Sequence, residues 1–203
     1  KFRQKIILSW VVFFRWWISI CCGVRIVIRG NVDVINSPNK KIYFSNHQGF
    51  IETLVLYQQF IPTATILKDV LLSWPIIGWA LRLLSSIPIN RGRGSEAVRK
   101  IFSMGEELLA SGFSLIYYPE GTRRKPRDLG IYKKTGAELA FQTNSEIVPI
   151  VHNAGECWYG GDFVIRPGKV KFFIGDAILP KDNAVETTKI VRDWTERKYS
   201  ELF

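Results

Sequence analysis

Short apolar runs that end in polar clusters constrain the fold of this sequence most strongly. Leu83 to Ile89 and Phe113 to Tyr118 are two such runs. Between them, residues 95–110 carry apolar side chains at helical spacing, at Val98, Ile101, Phe102, Leu108 and Leu109. A strand, a helix and a second strand in this order predict a βαβ unit with two parallel strands.

Further patterned segments extend this unit into a larger sheet. Strands are predicted at residues 23–34, 41–44 and 147–151, helices at about 48–59, 132–142 and 184–201, and a hairpin turning at Pro167-Gly168. The length of 203 residues fits one well-buried core. We therefore predict an α/β fold, a single domain with a mixed, largely parallel central sheet flanked by helices.

The N-terminal segment Ile6 to Cys22 is apolar except for Arg15, which makes it a costly membrane span. The pattern predicts an interfacial helix with Trp10, Trp16 and Trp17 at the lipid headgroups, or equally a helix packed on the domain. We divide the chain into a membrane-associating helix with its lead-in, residues 1–30, and a catalytic-size domain, residues 31–203. A second apolar stretch, residues 71–88, is broken by Pro75, Gly78 and Arg82 and predicts a shallow or core-covering segment.

The composition is both apolar and basic. Hydrophobic residues make up 47% of the chain, and 28 Lys and Arg against 18 Asp and Glu give a net charge of +10. This balance favours a partner that carries phosphates, and the seven Trp and thirteen Phe favour an anionic lipid surface over nucleic acid. The three cysteines form neither a spaced disulfide framework nor a zinc pattern, so we expect a reducing compartment and no metal.

Three polar clusters follow strand-like runs, at residues 46–47, 90–93 and 120–123, and should converge at one sheet edge. If His47 lies in the turn before a helix and Glu52 in its first turns, the carboxylate can orient the imidazole as a general base. A capping or surface histidine is the alternative. Arg91 and Arg93 flank Gly92 in an anion-site pattern that is also compatible with a solvated turn.

Four blocks in one order carry a resemblance to a known family. They are His47 to Glu52, residues 89–91 (INR), residues 118–123 (YPEGTR) and residues 148–150 (VPI). In this order and spacing the chain resembles the 1-acyl-sn-glycerol-3-phosphate (lysophosphatidic acid) acyltransferases, PlsC-type, of the glycerolipid acyltransferase superfamily. Flanking segments such as Leu67-Lys68 resemble a proteobacterial branch of it. Glu52 stands where most of these relatives carry Asp.

The resemblance implies an enzyme that moves an acyl group from acyl-CoA or acyl-carrier protein to the sn-2 hydroxyl of lysophosphatidic acid. It needs no cofactor and works at the cytoplasmic face of the inner membrane. Another lysophospholipid or glycerol 3-phosphate as acceptor, or an inactive interaction module, are the alternatives. Backbone amides near Gly49 are candidate oxyanion donors. By resemblance, the catalytic residues are His47 and Glu52, the phosphate-binding residues are Arg91, Glu120, Gly121, Thr122 and Arg123, and the acyl-pocket residues are Val148, Pro149, Ile150 and Lys68.

Overall fold

The computed structural model describes residues 2–75, 77–90, 92–160 and 162–202. Within these ranges the chain forms six α-helices and seven β-strands. In chain order they are α1 (Phe2–Cys22), β1 (Val24–Gly30), β2 (Lys41–Ser45), α2 (Ile51–Gln59), β3 (Thr63–Lys68), α3 (Ile77–Leu83), β4 (Ser86–Ile89), α4 (Gly94–Ala110), β5 (Ser114–Tyr117), α5 (Thr135–Gln142), β6 (Glu146–His152), β7 (Gly168–Ile174) and α6 (Ala184–Ser200).

All seven strands belong to one sheet in the order β1-β7-β6-β2-β5-β3-β4. The five strands from β6 to β4 run parallel, β7 is antiparallel to β6, and β1 is parallel to β7. This confirms the predicted α/β class and the mixed, largely parallel sheet. Because β1 pairs with β7 along its whole length, the division that we made at residue 30 falls at the end of a sheet strand.

Helices cover both faces of the sheet, which explains why its central strands are almost wholly apolar. Successive residues of β2 point to opposite faces, so Tyr43 packs in one core cluster and Ile42 and Phe44 pack in the other. On the first face, α1 and α2 contribute Ile18 and Val55 to the core. The second face is covered by residues of α4, α5 and α6, among them Ile101, Leu109, Leu139 and Val191.

Two local predictions were wrong, and one strand was not predicted. The strand expected at residues 83–89 is shorter, Ser86–Ile89, because the preceding residues form α3. Strand β3 was not predicted, since its buried threonines, Thr63 and Thr65, break the apolar pattern. The chain does not turn at Pro167-Gly168 either, because Gly168 is the first residue of β7 and pairs with Val24. The predicted antiparallel partner of β6 does exist, but residues 153–167 connect the two strands.

Helix α1 has a buried side and an aromatic exposed side. Val11 and Ile18 are 2% and 1% exposed, so the helix packs on the domain along this line. The opposite side presents large exposed side chains at Trp10, Phe13, Trp16, Trp17 and Ile20. No helix within the described ranges is long and apolar enough to cross a bilayer. Contact of the exposed side with lipid stays a prediction.

Candidate active site

The polar segments after β2 and β5 meet at the carboxyl edge of the parallel strands, as predicted. The backbone N–H of His47, which follows β2, donates to Oε2 of Glu120, which follows β5, at 3.0 Å. In return, the carbonyl of His47 accepts a hydrogen bond from the N–H of Arg124 at 2.7 Å. The two loops are therefore fastened together at the histidine. Arg91, predicted for the third loop, lies outside the described residues.

His47 and Glu52 form a hydrogen-bonded pair. Nδ1 of His47 lies 2.9 Å from Oε1 of Glu52, whose side chain is fully buried. The same oxygen accepts the N–H groups of Gln48 at 2.9 Å and Gly49 at 2.6 Å. Because the pair sits in the loop and the first turn of α2, it has the geometry that the spacing predicted. The Gly49 amide, considered above as an oxyanion donor, is instead engaged with the carboxylate.

The three donors also keep Glu52 ionised. Burial alone would raise its pKa, but the hydrogen bonds from Nδ1 of His47 and from the Gly49 N–H outweigh it, so the pKa is lowered to about 2. An ionised carboxylate can only accept, so Nδ1 of His47 carries a proton, and Nε2 is the basic nitrogen whenever the imidazole is neutral. The His47 side chain is 12% exposed, and its Nε2 has no partner among the described residues.

The backbone of residues 158–160 packs closely against the loop that carries this pair and holds it in place. The carbonyl of Gln48 accepts the N–H of Gly160 at 2.9 Å, and Gly49 forms a β-bridge with Tyr159. A Cβ at position 49 would lie 2.2 Å from the carbonyl oxygen of Trp158, so a residue larger than glycine cannot fit without moving the backbone. The segment from Trp158 to Gly160 is thus a structural support of the catalytic loop.

A buried clamp holds the residue before the histidine. Asn46 exchanges two hydrogen bonds of 3.0 Å with the backbone N–H and C=O of His152 at the end of β6. Nε2 of His152 is 2.7 Å from the carbonyl of Asn46, and its Nδ1 accepts the Ala154 N–H at 3.2 Å. Burial lowers the pKa of His152. The second histidine is therefore neutral and structural.

Tyr118 packs against the imidazole of His47. The two rings stack with centroids 4.1 Å apart and an angle of 21° between their planes. The phenol is hydrogen-bonded to Thr53 Oγ1 of α2 at 3.1 Å, and burial raises its pKa far above the ordinary value. A neutral, fixed aromatic ring therefore sets the plane of His47. Tyr118 belongs to one of the four family blocks, but the sequence did not predict its contact with His47.

Glu120 has a different position from the one predicted. Its carboxylate is buried, accepts the His47 N–H through Oε2, and accepts the Gly130 N–H through Oε1 at 3.3 Å. Both oxygens are turned into the protein, and an ionised carboxylate would repel a phosphate. Glu120 is thus a positioning residue for the His47 backbone. Burial raises its pKa to about 7, although these hydrogen bonds and Arg124 act in the opposite direction.

This pKa predicts a specific pH dependence of stability. The pKa of Glu120 in the folded chain lies above its value in the unfolded chain, so its contribution to stability is lost as pH rises through about 7. The difference in unfolding free energy between the wild type and Glu120→Gln should fall by roughly 2–3 kcal/mol between pH 5 and pH 8. Urea unfolding at both pH values measures this. A difference that is constant or that rises with pH contradicts the assignment.

Two cationic side chains lie near the segment that follows β5. Gly121 has φ +68°, and a Cβ there would lie 3.1 Å from Nζ of Lys133, so the ammonium group stands over this turn. The exposed Arg123 side chain lies across Gly160 and lowers the pKa of Tyr118, which places its charge near the stacked rings. Thr122 is exposed between them. Two cations, Arg123 and Lys133, therefore lie along the segment that follows β5, and Lys133 was not predicted from the sequence.

Comparison with known proteins agrees with this geometry. The family model described as Acyltransferase matches residues 25–153, which is more than half of the chain and includes the dyad and both loops. The chain belongs to the acyltransferase family. This confirms the resemblance drawn from the four sequence blocks.

Among individual members of this acyltransferase family, the Pseudomonas aeruginosa 1-acyl-sn-glycerol-3-phosphate acyltransferase is 32% identical over 85% of this chain and 66% of its own length. The chloroplastic enzyme LPAT1 of Arabidopsis thaliana is 31% identical over 77% of this chain and 44% of its own length. The chain thus spans about two thirds of the first relative and less than half of the second. The crystal structure of PlsC from Thermotoga maritima has the same fold, with a TM-score of 0.82 at 24% identity, covering 98% of this chain and 80% of that one.

The four residues predicted to form the acyl pocket do not line a common cavity. Val148 and Ile150 are fully buried in the core, and the carbonyl of Pro149 accepts the Gly175 N–H at 2.9 Å. Lys68 is exposed at the end of β3, paired with Ile89 of β4. An apolar cavity of about 320 Å³ instead lies between α4 and β5, and none of these four lines it. Its lining includes Ile66, Ile89, Val98, Ile101, Tyr118 and Lys133.

Proposed function

We propose that the chain transfers a fatty acyl group from a thioester to the sn-2 hydroxyl of 1-acyl-sn-glycerol 3-phosphate, giving phosphatidic acid. One observation supports this most directly. His47 is held by Glu52 through Nδ1, which makes Nε2 the basic nitrogen of the neutral imidazole, and Arg123 and Lys133 lie along the adjacent segment after β5. The names of the similar proteins support lysophosphatidic acid as acceptor. The donor, acyl-CoA or acyl-carrier protein, is part of the proposal.

In the proposed reaction, Nε2 of His47 takes the proton of the acceptor hydroxyl while its oxygen attacks the thioester carbonyl carbon. The ester C–O bond forms, the C–S bond breaks, and the imidazolium returns the proton to the leaving thiolate. Glu52 stabilises the imidazolium during these steps through Nδ1–H. The substrate hydroxyl is thus the nucleophile, and no acyl-enzyme is formed.

The substrate pocket follows from charge and polarity. We assign Arg123 and Lys133 to the acceptor phosphate, together with Gly121, Thr122 and the undescribed Arg91. The apolar cavity beside Tyr118 and α4 takes an acyl chain, with Ile101 among its lining residues. We also assign Lys68 to the rim of this cavity, since it is the last residue of β3 and pairs with Ile89 of β4, which lines the cavity. Val148 and Ile150 shape the site only by supporting the sheet beneath it.

Replacing Arg123 or Lys133 by alanine should raise the KM for lysophosphatidic acid about tenfold, because each loses a charge-assisted contact of ~1.5–3 kcal/mol. The KM for the acyl donor should change much less. Steady-state kinetics with both substrates measures this. Arg29→Ala is a matched control because Arg29 lies on the outer strand β1, which β7 and β6 separate from β2. If the donor KM rises and the acceptor KM does not, these cations bind the donor.

Lipid attachment is the remaining part of the proposal. The exposed aromatic side of α1 and the net charge of +10 suit an anionic membrane surface, at the cytoplasmic face of the inner membrane where acyl thioesters are made. Lysophosphatidic acid is itself a membrane lipid, so an enzyme docked on the bilayer meets its acceptor there.

A further inference from the structure

The loop that supports the catalytic segment ends in an apolar tip. Phe163 is 104% exposed and Val164 is 63% exposed, and we call these two residues the loop tip. A fully exposed phenylalanine leaves a large apolar surface in water. The loop tip follows the segment from Trp158 to Gly160, which supports the loop that carries His47.

Hydrogen bonds hold the loop tip in this exposed position. Nε1 of Trp158 donates to the carbonyl of Asp162 at 2.9 Å, and the Asp162 N–H donates to Tyr159 at 3.0 Å. On the other side of the tip, Arg166 donates through its N–H to Cys157 at 2.8 Å and through its guanidinium to Asp162 at 2.8 Å. The residues on both sides are thus fixed, and the structure keeps the tip away from the core.

Aromatic contacts connect the base of this loop to α1. The rings of Trp158 and Phe50 are 5.6 Å apart, and those of Phe50 and Phe14 are 6.2 Å apart. Phe14 in turn stacks on Trp10 at 5.6 Å. A continuous row of aromatic rings therefore connects Trp10 of α1 to Trp158 at the base of the loop, and Phe50, which is 37% exposed, lies in the middle of this row.

We infer that the loop tip is a second membrane contact, which inserts into the lipid interface together with α1 and holds the His47 site against the bilayer. This inference rests on one part of the proposed function, which is that the enzyme works at a membrane surface. A bilayer fits better than a folded protein partner, because the exposed apolar side chains belong to two separate elements, a loop and a helix. Aromatic side chains of this kind are enriched at lipid interfaces, and the charge of +10 favours anionic lipid.

Vesicle sedimentation tests this inference with the whole 203-residue chain. Phe163→Ser with Val164→Ser should weaken binding to phosphatidylglycerol vesicles about tenfold, since it removes apolar surface from the interface. Phe141→Ser is the matched control, because Phe141 is 51% exposed at the end of α5, at the opposite sheet edge, and it should bind like the wild type. Trp16→Ser on α1 should weaken binding as well. These variants change exposed side chains, so circular dichroism should show an unchanged fold.

Activity toward a water-soluble, short-chain lysophosphatidic acid separates this inference from the proposed function. The loop-tip variant should retain wild-type kcat and KM with that acceptor and lose activity only with acceptor embedded in vesicles. Unchanged vesicle binding of the loop-tip variant, or equal losses in Phe141→Ser, would overturn the membrane contact. If no variant and no wild-type sample transfers acyl groups to the soluble acceptor, the proposed function fails instead.

Discussion

Replacement of His47 by alanine should lower kcat by at least ~10²-fold, because the variant has no general base for the acceptor hydroxyl. The fold should survive. His47 lies in a loop, and Glu52 keeps the N–H groups of Gln48 and Gly49 as partners. The rate of thiol release with lysophosphatidic acid and acyl-CoA measures the effect. His47→Asn is a useful second variant, because it retains a polar group near Glu52 without a basic nitrogen.

A His47→Ala variant that keeps more than about a tenth of the wild-type kcat would remove the histidine from the chemical step, since such catalysis supplies ~10²–10⁴-fold. Unfolding is the trivial explanation for a loss. The cost of removing a partly exposed ring stacked on Tyr118 is on the order of 1–2 kcal/mol. A thermal melt therefore shows whether the inactive variant is folded.

Glu52→Gln should be the second strongly impaired variant, with kcat lowered by about 10²- to 10⁴-fold. A glutamine carbonyl can still accept the Gln48 and Gly49 amides, so the loop is retained. Its neutral amide does not stabilise the imidazolium that forms during transfer, and it does not fix the Nδ1–H tautomer. Steady-state kinetics with Glu52→Asp as control tests the charge separately from the shape.

Glu52→Asp keeps the charge but shortens the side chain by one methylene. Oε1 of Glu52 now meets three donors at 2.6 to 2.9 Å, so the aspartate reaches them only if the loop or the first turn of α2 moves. We expect a loss of about tenfold, clearly smaller than that of the glutamine variant. Equal rates for Glu52→Gln and the wild type would exclude a charge-dependent dyad.

The sequence was sufficient for the dyad and for the sheet edge that carries it. At this spacing, a hydrogen bond between His47 and Glu52 requires a loop histidine and a helical carboxylate. Both are found, because α2 begins at Ile51. The contacts of Glu120 could not be predicted in the same way. They depend on Gly130, ten residues further along the chain, whose return to the site is a tertiary feature.

Strand β3 and the cation at Lys133 show a second limit of sequence analysis. The threonines of β3 are buried between parallel strands, where their backbone pairing determines the structure and their hydropathy does not. Lys133 precedes α5 in an ordinary basic segment, and only the fold places its Nζ over Gly121. The acyl-pocket prediction failed for a similar reason. Residues 148–150 belong to the family pattern, but they form part of the buried strand beneath the site.

One assay tests the central claim most directly. Purified protein is given labelled acyl-CoA or acyl-carrier protein with lysophosphatidic acid, lysophosphatidylcholine or glycerol 3-phosphate, and lipid product and free thiol are measured together. The account predicts phosphatidic acid and thiol in equal amounts with lysophosphatidic acid, and neither in the His47→Ala variant. Product with glycerol 3-phosphate or lysophosphatidylcholine alone, or no product with any acceptor, would contradict it.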